Sequence, residues 1–409
     1  MKNSYRFIIG ALTCWILFTG SFVFAEDWPQ WRGPNRDAKV SGFTAPKEWP
    51  QTLPEKWKAV VGSGDATPAL VGDKLYVFTR QGDEETTPCL NAATGDELWK
   101  DHYAAKAVTG AAGRHPGPRS SLAVADGKVV TLGVGGVLSC LDAAAGALVW
   151  RKEPYQEVPK FFTSMSPLIV DDMVIAHLGG QGTGAIMAFN LADGEKKWEW
   201  AGEGPEYASP VLLTVEGTKQ IVTLTEKSIV GVGLADGKLL WQLPFVPQRR
   251  AYNAATPIVD GQTVIYTGAG RGTFAVKIEK QGDGFTPKEL WSNPDIATQY
   301  NTPVLRDGML FGLSNSGNLF CLNAETGQTN WQDTNQLDRS GFGTIVDAGS
   351  VLMALPSSGE MIVFKPGDKK YEEIARIKVS ETPIYSYPVI EGNNIFIKNQ
   401  DTVTLYTIE

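Results

Sequence analysis

The residues of this chain best suited to binding are arginines, tyrosines and asparagines in short segments that each precede a recurring Ser/Thr-Pro pair or its equivalent. An arginine offers a planar fork of hydrogen-bond donors, and a tyrosine offers a flat amphipathic face. Such segments predict a site for a protein partner or a small polar ligand. The candidate binding residues are His115, Arg119, Tyr207, Arg249, Arg250, Tyr252, Asn253, Tyr300, Asn301, Arg339 and Tyr385.

Each of these residues has an alternative interpretation, as a solvated loop residue or as a hydrogen-bond donor between neighbouring repeats. Arg249, Arg250, Tyr252 and Asn253 form the densest group. If this group is the site, we expect the double change Arg249→Ala with Arg250→Ala to weaken binding of the natural ligand by about tenfold or more.

No other combination of residues in the sequence predicts catalysis or metal binding. His102, His115 and His177 are far apart and lack the spacing of metal ligands. The glycine-rich segment 179–184 lies between two predicted strands, and no helix follows it to receive a phosphate. We therefore predict no catalytic and no metal-binding residues.

The charge of the chain disfavours two classes of partner. Its formal net charge is −8, with 45 acidic and 37 basic residues. A chain of this sign has no electrostatic reason to bind nucleic acid or an anionic lipid surface. We expect neither as a partner.

Residues 1–25 have the composition of a secretory signal peptide. Lys2 and Arg6 precede an apolar run, and residues 23–25, Val-Phe-Ala, provide a cleavage site. The product is expected to be periplasmic or secreted, with no membrane span after cleavage. An uncleaved N-terminal anchor is the alternative, because the apolar run is almost long enough to cross a bilayer.

The elements that must position the candidate residues are repeats that each end in a tryptophan. Repeats of this length, made of short strands and glycine turns, are typical of the four-stranded blades of a β-propeller. We expect each ring to pack against the next blade, and the glycine four residues earlier to let the turn fold back so that the ring fits. The tryptophans lie roughly 40 to 51 residues apart, at Trp57, Trp99, Trp150, Trp198, Trp241, Trp291 and Trp331.

The Ser/Thr-Pro pairs and their equivalents mark eight blade openings, at residues 67, 120, 166, 209, 256, 302, 344 and 387. The last repeat lacks room for its outer strand, so residues 53–60 are expected to supply that strand and close the ring. The predicted fold is therefore an all-β, eight-bladed propeller of four-stranded antiparallel blades over residues 53–409. Seven blades are the alternative, because Tyr371 stands where the seventh repeat lacks its tryptophan.

Residues 26–52 do not fit the repeat. They are rich in Trp, Pro and Gly, a composition that favours extended or turning backbone. We expect this N-terminal extension to dock on the propeller, across one face. A ligand-capturing arm is the alternative.

The pattern Ala-x-Asp-x-x-x-Gly-x-x-x-Trp resembles the tryptophan-docking repeats of the pyrroloquinoline-quinone (PQQ) dehydrogenase superfamily. Residues 188–198 carry it with Asn in place of Asp, and residues 140–150 carry it with Cys in place of Ala. The opening residues 27–36, Asp-Trp-Pro-Gln-Trp-Arg-Gly-Pro-Asn-Arg, are similar to the start of many exported bacterial PQQ-like repeat propellers. The resemblance covers nearly all of residues 53–409. It implies one of two roles: a PQQ- and Ca²⁺-dependent periplasmic alcohol or sugar dehydrogenase, or a non-catalytic relative such as the lipoprotein scaffold of the outer-membrane barrel-assembly machinery.

Two features separate these branches. The dehydrogenases carry two adjacent cysteines and a Glu/Asn/Asp set around Ca²⁺, and matching positions are not found here. The scaffold branch fits the length and the plain blades better, although its lipoprotein cysteine is missing. The sequence therefore predicts an exported binding or scaffold module with no cofactor, and the PQQ- and Ca²⁺-dependent dehydrogenase remains the alternative.

Overall fold

The computed structural model describes residues 26–408, which form a ring of eight antiparallel β-sheets. Each sheet is a blade of four strands, and in the first blade the second strand is interrupted after Tyr76. The predicted eight-bladed propeller is confirmed, and the seven-bladed alternative is wrong. The predicted signal peptide, residues 1–25, lies outside the described residues.

The strands of blades 1 to 4 are given from the inner to the outer edge. Blade 1 contains Ala69–Val71, the interrupted strand Lys74–Tyr76 with Thr79–Gln81, Glu84–Asn91 and Glu97–Ala104. Blade 2 contains Ala123–Ala125, Lys128–Leu132, Leu138–Asp142 and Leu148–Lys152. Blade 3 contains Leu168–Val170, Met173–Gly180, Thr183–Asn190 and Lys196–Trp200. Blade 4 contains Val211–Val215, Thr218–Leu224, Ser228–Gly233 and Leu239–Pro244.

Blades 5 to 8 repeat the same order. Blade 5 contains Ile258–Asp260, Thr263–Gly268, Gly272–Gln281 and Gly284–Asn293. Blade 6 contains Val304–Arg306, Met309–Leu313, Asn318–Asn323 and Thr329–Gln336. Blade 7 contains Gly343–Asp347, Leu352–Pro356, Glu360–Phe364 and Glu373–Lys378. Blade 8 contains Val389–Glu391, Asn394–Lys398, Thr402–Thr407 and, as its outer strand, Glu55–Val60.

The two ends of the propeller meet in blade 8. Glu55–Val60 pairs antiparallel with Thr402–Thr407, and Trp57 lies opposite Leu405. The buried Lys398 holds this junction, since its Nζ donates to the carbonyls of Gly64 at 2.9 Å and Asn399 at 2.7 Å. The N-terminal strand thus covers the edge of Thr402–Thr407 and gives blade 8 the same four strands as the other blades.

The tryptophans join neighbouring blades at the circumference. With one exception, each indole N–H donates to a backbone carbonyl of the following blade, as Trp198 does to Leu234 at 2.8 Å. Trp241 is the exception and bonds Gln220 of its own blade, because the long hairpin of blade 5 offers no equivalent Gly turn. The other donor–acceptor pairs are Trp57–Ala92, Trp99–Ala143, Trp150–Leu191, Trp291–Ala324 and Trp331–Gly367.

The turn glycines make room for these rings, but each one faces the ring of the preceding blade. Gly95 has a φ of +78°, and a Cβ at this position would lie 2.7 Å from the Trp57 ring. Gly237 stands in the same relation to Trp198, at 2.6 Å. The sequence interpretation, which paired each glycine with the tryptophan of its own repeat, is corrected to this extent.

The described residues contain almost no helix. The 3₁₀ turn Gly110–Arg114 lies in the connection between blades 1 and 2. Among residues 26–408, no helix has the length and apolarity needed to span a bilayer.

Candidate binding bowl at the mouth of the channel

The loops at one mouth of the channel are held in place by a chain of hydroxyl groups at the start of the inner strands. The backbone N–H of Thr67 donates to Ser121 Oγ of the next blade at 2.9 Å. The sequence interpretation explained only the prolines of these segments, so this use of the Ser and Thr hydroxyls was missed. The bonds that follow are Ser121 to Ser166, Ser166 to Ser209, Ser209 to Thr256, Thr256 to Thr302 and, closing on blade 1, Tyr387 to Thr67.

Each blade contributes one residue to the lining of a cavity at this mouth. That residue stands two positions before the blade's member of the hydroxyl chain, or before the equivalent Thr344 in blade 7 and Tyr387 in blade 8. The cavity has a volume of about 370 Å³, and we call it the bowl. The eight equivalent residues are Asp65, Arg119, Ser164, Tyr207, Ala254, Tyr300, Phe342 and Tyr385. Where this residue is small, in blades 3 and 5, the aromatic rings of Phe161 and Tyr252 line the bowl from a few residues earlier.

Six aromatic side chains from blades 3 to 8 surround most of the bowl. Tyr252 packs edge-to-face against Phe161 at 5.1 Å and against Tyr207 at 5.8 Å. On the other side Tyr300 and Phe342 stack at 4.1 Å with their planes 5° apart. These separations are typical of favourable aromatic pairs. We call Phe161, Tyr207, Tyr252, Tyr300, Phe342 and Tyr385 the aromatic collar.

Blades 1 and 2 contribute the charged part of the wall, and its polar groups are bonded within the protein. His115 Nδ1 lies 2.9 Å from Asp65 Oδ2, and the imidazole packs edge-on against Tyr385. Arg119 donates to the carbonyls of Phe161 and His115, both at 2.7 Å. Burial lowers the pKa of Arg119 and raises the pKa of the Tyr385 hydroxyl, which therefore stays neutral in the physiological range.

The N-terminal extension forms the floor of the bowl. Its first residues enter along blade 1, where Trp28 and Leu70 exchange backbone hydrogen bonds of 2.8 and 2.9 Å. Trp31 lines the bowl from below and contacts Tyr387 edge-on. The segment leaves along blade 7, where Ala38 and Val40 bond the backbone of Asp347. The sequence suggested docking across one face, whereas the structure places the segment inside the channel.

The sequence-predicted site residues fall into three groups. His115, Arg119, Tyr207, Tyr252, Tyr300 and Tyr385 come together around the bowl. Asn253 and Asn301 are buried and bond backbone carbonyls, so they support the loops. Arg249, Arg250 and Arg339 are exposed and do not line the cavity.

Beside Asn253, a buried carboxyl group supports the loop that carries Tyr207. The backbone N–H of Asn253 donates to Glu206, and Arg271 bonds Asn253 Oδ1 at 2.8 Å. Burial raises the pKa of Glu206 to about 7, against the opposing effects of the Asn253 N–H and Arg271. This carboxyl group therefore titrates near neutral pH without lining the bowl.

The sequence contained a signal for the bowl residues that were missed. Trp31, Asp65, Phe161, Ser164, Ala254 and Phe342 also line the cavity. Asp65, Ser164, Ala254 and Phe342 stand at the repeated position two residues before the hydroxyl residue or its equivalent. Trp31 has no such register, because its segment lies outside the repeats.

The residues around the bowl do not fit PQQ with Ca²⁺. Ca²⁺ takes six to eight oxygen ligands, several of them carboxylates. Asp65 provides the carboxylate of the bowl lining, and it is bonded to His115. Within residues 26–408, no group of three or more His, Cys, Asp or Glu side chains is placed to hold a metal ion. Cys89, Cys140 and Cys321 are buried free thiols in three different blades.

Comparisons with known proteins agree with this description. The model of the family described as "Outer membrane protein assembly factor BamB" matches residues 83–333. The assembly factor BamB of Yersinia pestis is 22% identical over 387 residues, covering 88% of this chain and 91% of its own length. BamB of Moranella endobia is 24% identical over 371 residues, covering 84% of this chain and 88% of its own.

Solved structures show the same fold. BamB from Moraxella catarrhalis superposes with a TM-score of 0.66 at 16% identity, covering 87% of this chain and all of its own. Quinohemoprotein alcohol dehydrogenase from Comamonas testosteroni gives 0.68 at 14% identity, covering 93% of this chain and 80% of its own. At these identities the superpositions establish the architecture alone.

The family match decides between the branches implied by the repeats. It spans residues 83–333 of the 409-residue chain, which is more than half of it, and the matched relatives are outer membrane assembly factors. The predicted resemblance to the non-catalytic, exported branch of PQQ-like propellers is confirmed, as is a periplasmic or secreted location. This protein belongs to the family of outer membrane protein assembly factor BamB.

Proposed function

We propose that this protein is an exported scaffold that holds a protein partner in the bowl, through apolar side chains of the partner that insert into the aromatic collar. The observation that carries the proposal is the collar itself, which presents one ring from each of six consecutive blades. Tyrosine and other rigid aromatic residues dominate the energetics of protein interfaces, because they bury a large area at a low entropic cost.

The state of the polar groups in the bowl favours a protein partner over a small polar ligand. A small polar ligand is oriented by a few free, convergent donors and acceptors. Here Asp65 is bonded to His115, and Arg119 donates to backbone carbonyls. A cavity of about 370 Å³ with such a wall suits apolar side chains of a partner better than a strongly hydrated molecule.

The relatives suggest the cellular process in which this partner takes part. Their names assign them to the assembly of outer membrane proteins. We carry this role to the present chain as part of the proposal, with the partner a component or a client of outer membrane protein assembly.

Site-specific photo-crosslinking in the producing cells tests the proposal. A photoreactive residue replaces Tyr300, which is 36% exposed in the collar, or Leu290, which is 46% exposed on the outer strand of blade 5. We expect protein adducts from position 300 and a much weaker signal from position 290. The position-300 adduct should be lost when Phe161 and Tyr252 are both changed to Ala, provided that the variant melts like the parent protein.

Two results contradict the proposal. Equal adducts from both positions indicate non-specific encounters. An adduct at position 300 that survives removal of Phe161 and Tyr252 shows that the collar does not hold the partner.

The dehydrogenase alternative is tested by thermal unfolding of the mature protein with and without PQQ and Ca²⁺. A ligand that binds only the folded state adds about 2.7 kcal/mol at 100 times its dissociation constant. We expect no shift of the melting temperature, because the carboxylate that lines the bowl, that of Asp65, is bonded to His115 and is not joined by the further carboxylates that Ca²⁺ favours. A shift that requires both PQQ and Ca²⁺ would reinstate the enzyme.

A further inference from the structure

Residues 27–44 occupy the channel in the manner of a bound peptide, and we call this segment the plug. The plug contributes no strand to any blade. It makes an antiparallel bridge from Trp28 to Leu70 and a parallel bridge from Lys39 to Asp347. Side-chain bonds fix its ends, from Gly72 N to Asp27 at 2.9 Å and from Thr44 N to Asn393 at 3.2 Å.

Arg32 anchors the plug to blades 6 and 8. Its side chain is 1% exposed. Nη1 donates to the carbonyl of Thr302 at 2.7 Å and to the Tyr387 hydroxyl at 3.2 Å, and Nη2 donates to the carbonyl of Pro303 at 2.9 Å. The arginine thus bridges a gap in the hydroxyl chain, since no such bond links blade 6 to 7 or 7 to 8 in the described part of the protein.

Arg36 anchors the plug on the other side of the channel. It is 7% exposed, and it donates to the carbonyl of Pro210 at 2.9 Å, to that of Ser166 at 3.4 Å and to that of Pro167. Burial lowers the pKa of Arg36 to about 9, so the guanidinium remains charged at pH 7. Across residues 26–408, no carboxylate lies within ion-pair distance of Arg32 or Arg36.

These contacts define the chemistry that the channel recognises. Carbonyl oxygens at the start of the inner strands of blades 3, 4 and 6 accept hydrogen bonds from the two guanidinium groups. These carbonyls are neutral, so the channel binds the cations without a counter-ion. A guanidinium presents five donors in a planar fork, and the fork of Arg36 reaches carbonyls of both blade 3 and blade 4. Two such groups four residues apart, Arg32 and Arg36, span the channel.

We propose that the propeller channel is a peptide-binding site that selects an Arg-x-x-x-Arg segment, and that residues 27–44 are its ligand held in cis. The site lies below the bowl and is independent of the partner proposed there. Trp31 connects the two sites, because the same segment provides the floor of the bowl.

Cleavage of the folded, full-length mature chain tests this assignment. A protease site is introduced between Lys47 and Glu48, both exposed in the connection between the plug and blade 8, and is cut after folding. We expect the fragment that ends at Lys47 to remain bound in gel filtration and to exchange with a labelled synthetic peptide of residues 26–47. Exchange is followed in urea below the unfolding midpoint, so that a slow off-rate does not hide it.

Competition by unlabelled peptides reports the specificity. The Arg36→Ala peptide should compete at least tenfold more weakly than the parent peptide. The Lys39→Ala peptide is the matched control, because it loses the same charge from an exposed side chain and should compete like the parent.

Three results overturn the proposal. Immediate loss of the cleaved fragment, with the propeller still folded and the labelled peptide unbound, means that the channel has no affinity for the segment. Equal competition by the Arg36→Ala and parent peptides means that the carbonyls do not bind the guanidinium selectively. Retention without exchange until the blades themselves unfold, or unfolding on cleavage, means that the segment is part of the core rather than a ligand.

Discussion

The circumference and the mouth of this propeller are built from equivalent positions of the same repeats, but the repeats diverge at the mouth. At the circumference, six indoles donate to a carbonyl of the following blade, and the turn glycines leave room for the rings. At the mouth, the equivalent position carries an acid in blade 1, an arginine in blade 2, small residues in blades 3 and 5, and aromatic rings in the others. Six of the eight gaps at the circumference are filled by the same packing of ring and turn, whereas a binding surface needs different groups around its rim.

This difference separates stability from recognition. Most rings at the circumference are buried between blades and pack against the turn of the following blade, while the collar rings pack on one another and face the bowl. We therefore expect changes at the circumference to lower the free energy of unfolding and to spare binding. Changes in the collar are expected to do the reverse.

The largest expected effect is that of Trp198→Ala at the circumference. This side chain is 8% exposed, fills the space left by Gly237 and bonds Leu234. Its removal leaves a cavity, and we expect the free energy of unfolding to fall by about 3–5 kcal/mol. Urea unfolding measures the loss, and Lys197→Ala on the same strand is the matched control. Loss of crosslinking at position 300 with unchanged stability would contradict the division between circumference and mouth.

The repeated parts of the molecule could be predicted from the sequence. Trp99, Trp150 and Trp198 mark the outer strands, because the space between blades at these positions is filled by a large ring that packs on a turn of the same geometry. The glycines were assigned to the wrong ring, since the fitting ring belongs to the preceding blade and its contact is not local in sequence. The plug could not be placed for the same reason, because the partners of Arg32 and Arg36 lie in blades more than a hundred residues away.

The candidate site could be predicted only in part. Tyr207, Tyr300 and Tyr385 stand at the repeated position that lines the bowl. Asn253 and Asn301 occur in the same loops, but their amide groups bond backbone carbonyls of the protein. A loop asparagine looks the same in sequence whether it faces a ligand or supports the backbone. Residue type therefore identifies the loops, and only their geometry separates the two uses.

The next effect in size concerns Glu206, which lies directly behind the mouth. Its pKa of about 7 in the folded protein exceeds the ordinary value of 4.5, because burial disfavours the carboxylate. Between these two pH values the folded state holds a proton that the unfolded chain has lost, so the free energy of unfolding falls as pH rises. From pH 4.5 to 7 the loss attributable to this group is expected to be on the order of 2–3 kcal/mol.

A comparison of Glu206→Gln with the parent protein isolates this contribution. The difference in unfolding free energy between them should change across this pH window, whereas the exposed Glu216→Gln variant should follow the parent. A pH-independent difference between Glu206→Gln and the parent would show that the carboxyl group titrates normally in the fold.

A smaller effect is expected where the ring closes. Lys398 is 1% exposed, and its Nζ donates to the carbonyls of Gly64 and Asn399. The change Lys398→Met keeps the length of the side chain and leaves these acceptors without a donor, at a cost of about 1–3 kcal/mol. Chemical unfolding measures the cost, and Lys378→Met, at a side chain that is 45% exposed, is the control. Equal stability of the two variants would mean that the closure does not depend on the buried ammonium.

The smallest expected effect tests where the mouth ends. Arg249 and Arg250 are exposed on the loop that carries Tyr252, yet neither lines the bowl. We expect the double change to Ala to alter the free energy of unfolding by less than about 0.5 kcal/mol. If the partner inserts only into the collar, crosslinking at position 300 should also persist, although the sequence favoured a loss of about tenfold. Such a loss would extend the recognition surface from the bowl onto this outer loop. The collar would then be the centre of a wider interface, and Arg249 and Arg250 would belong to its rim.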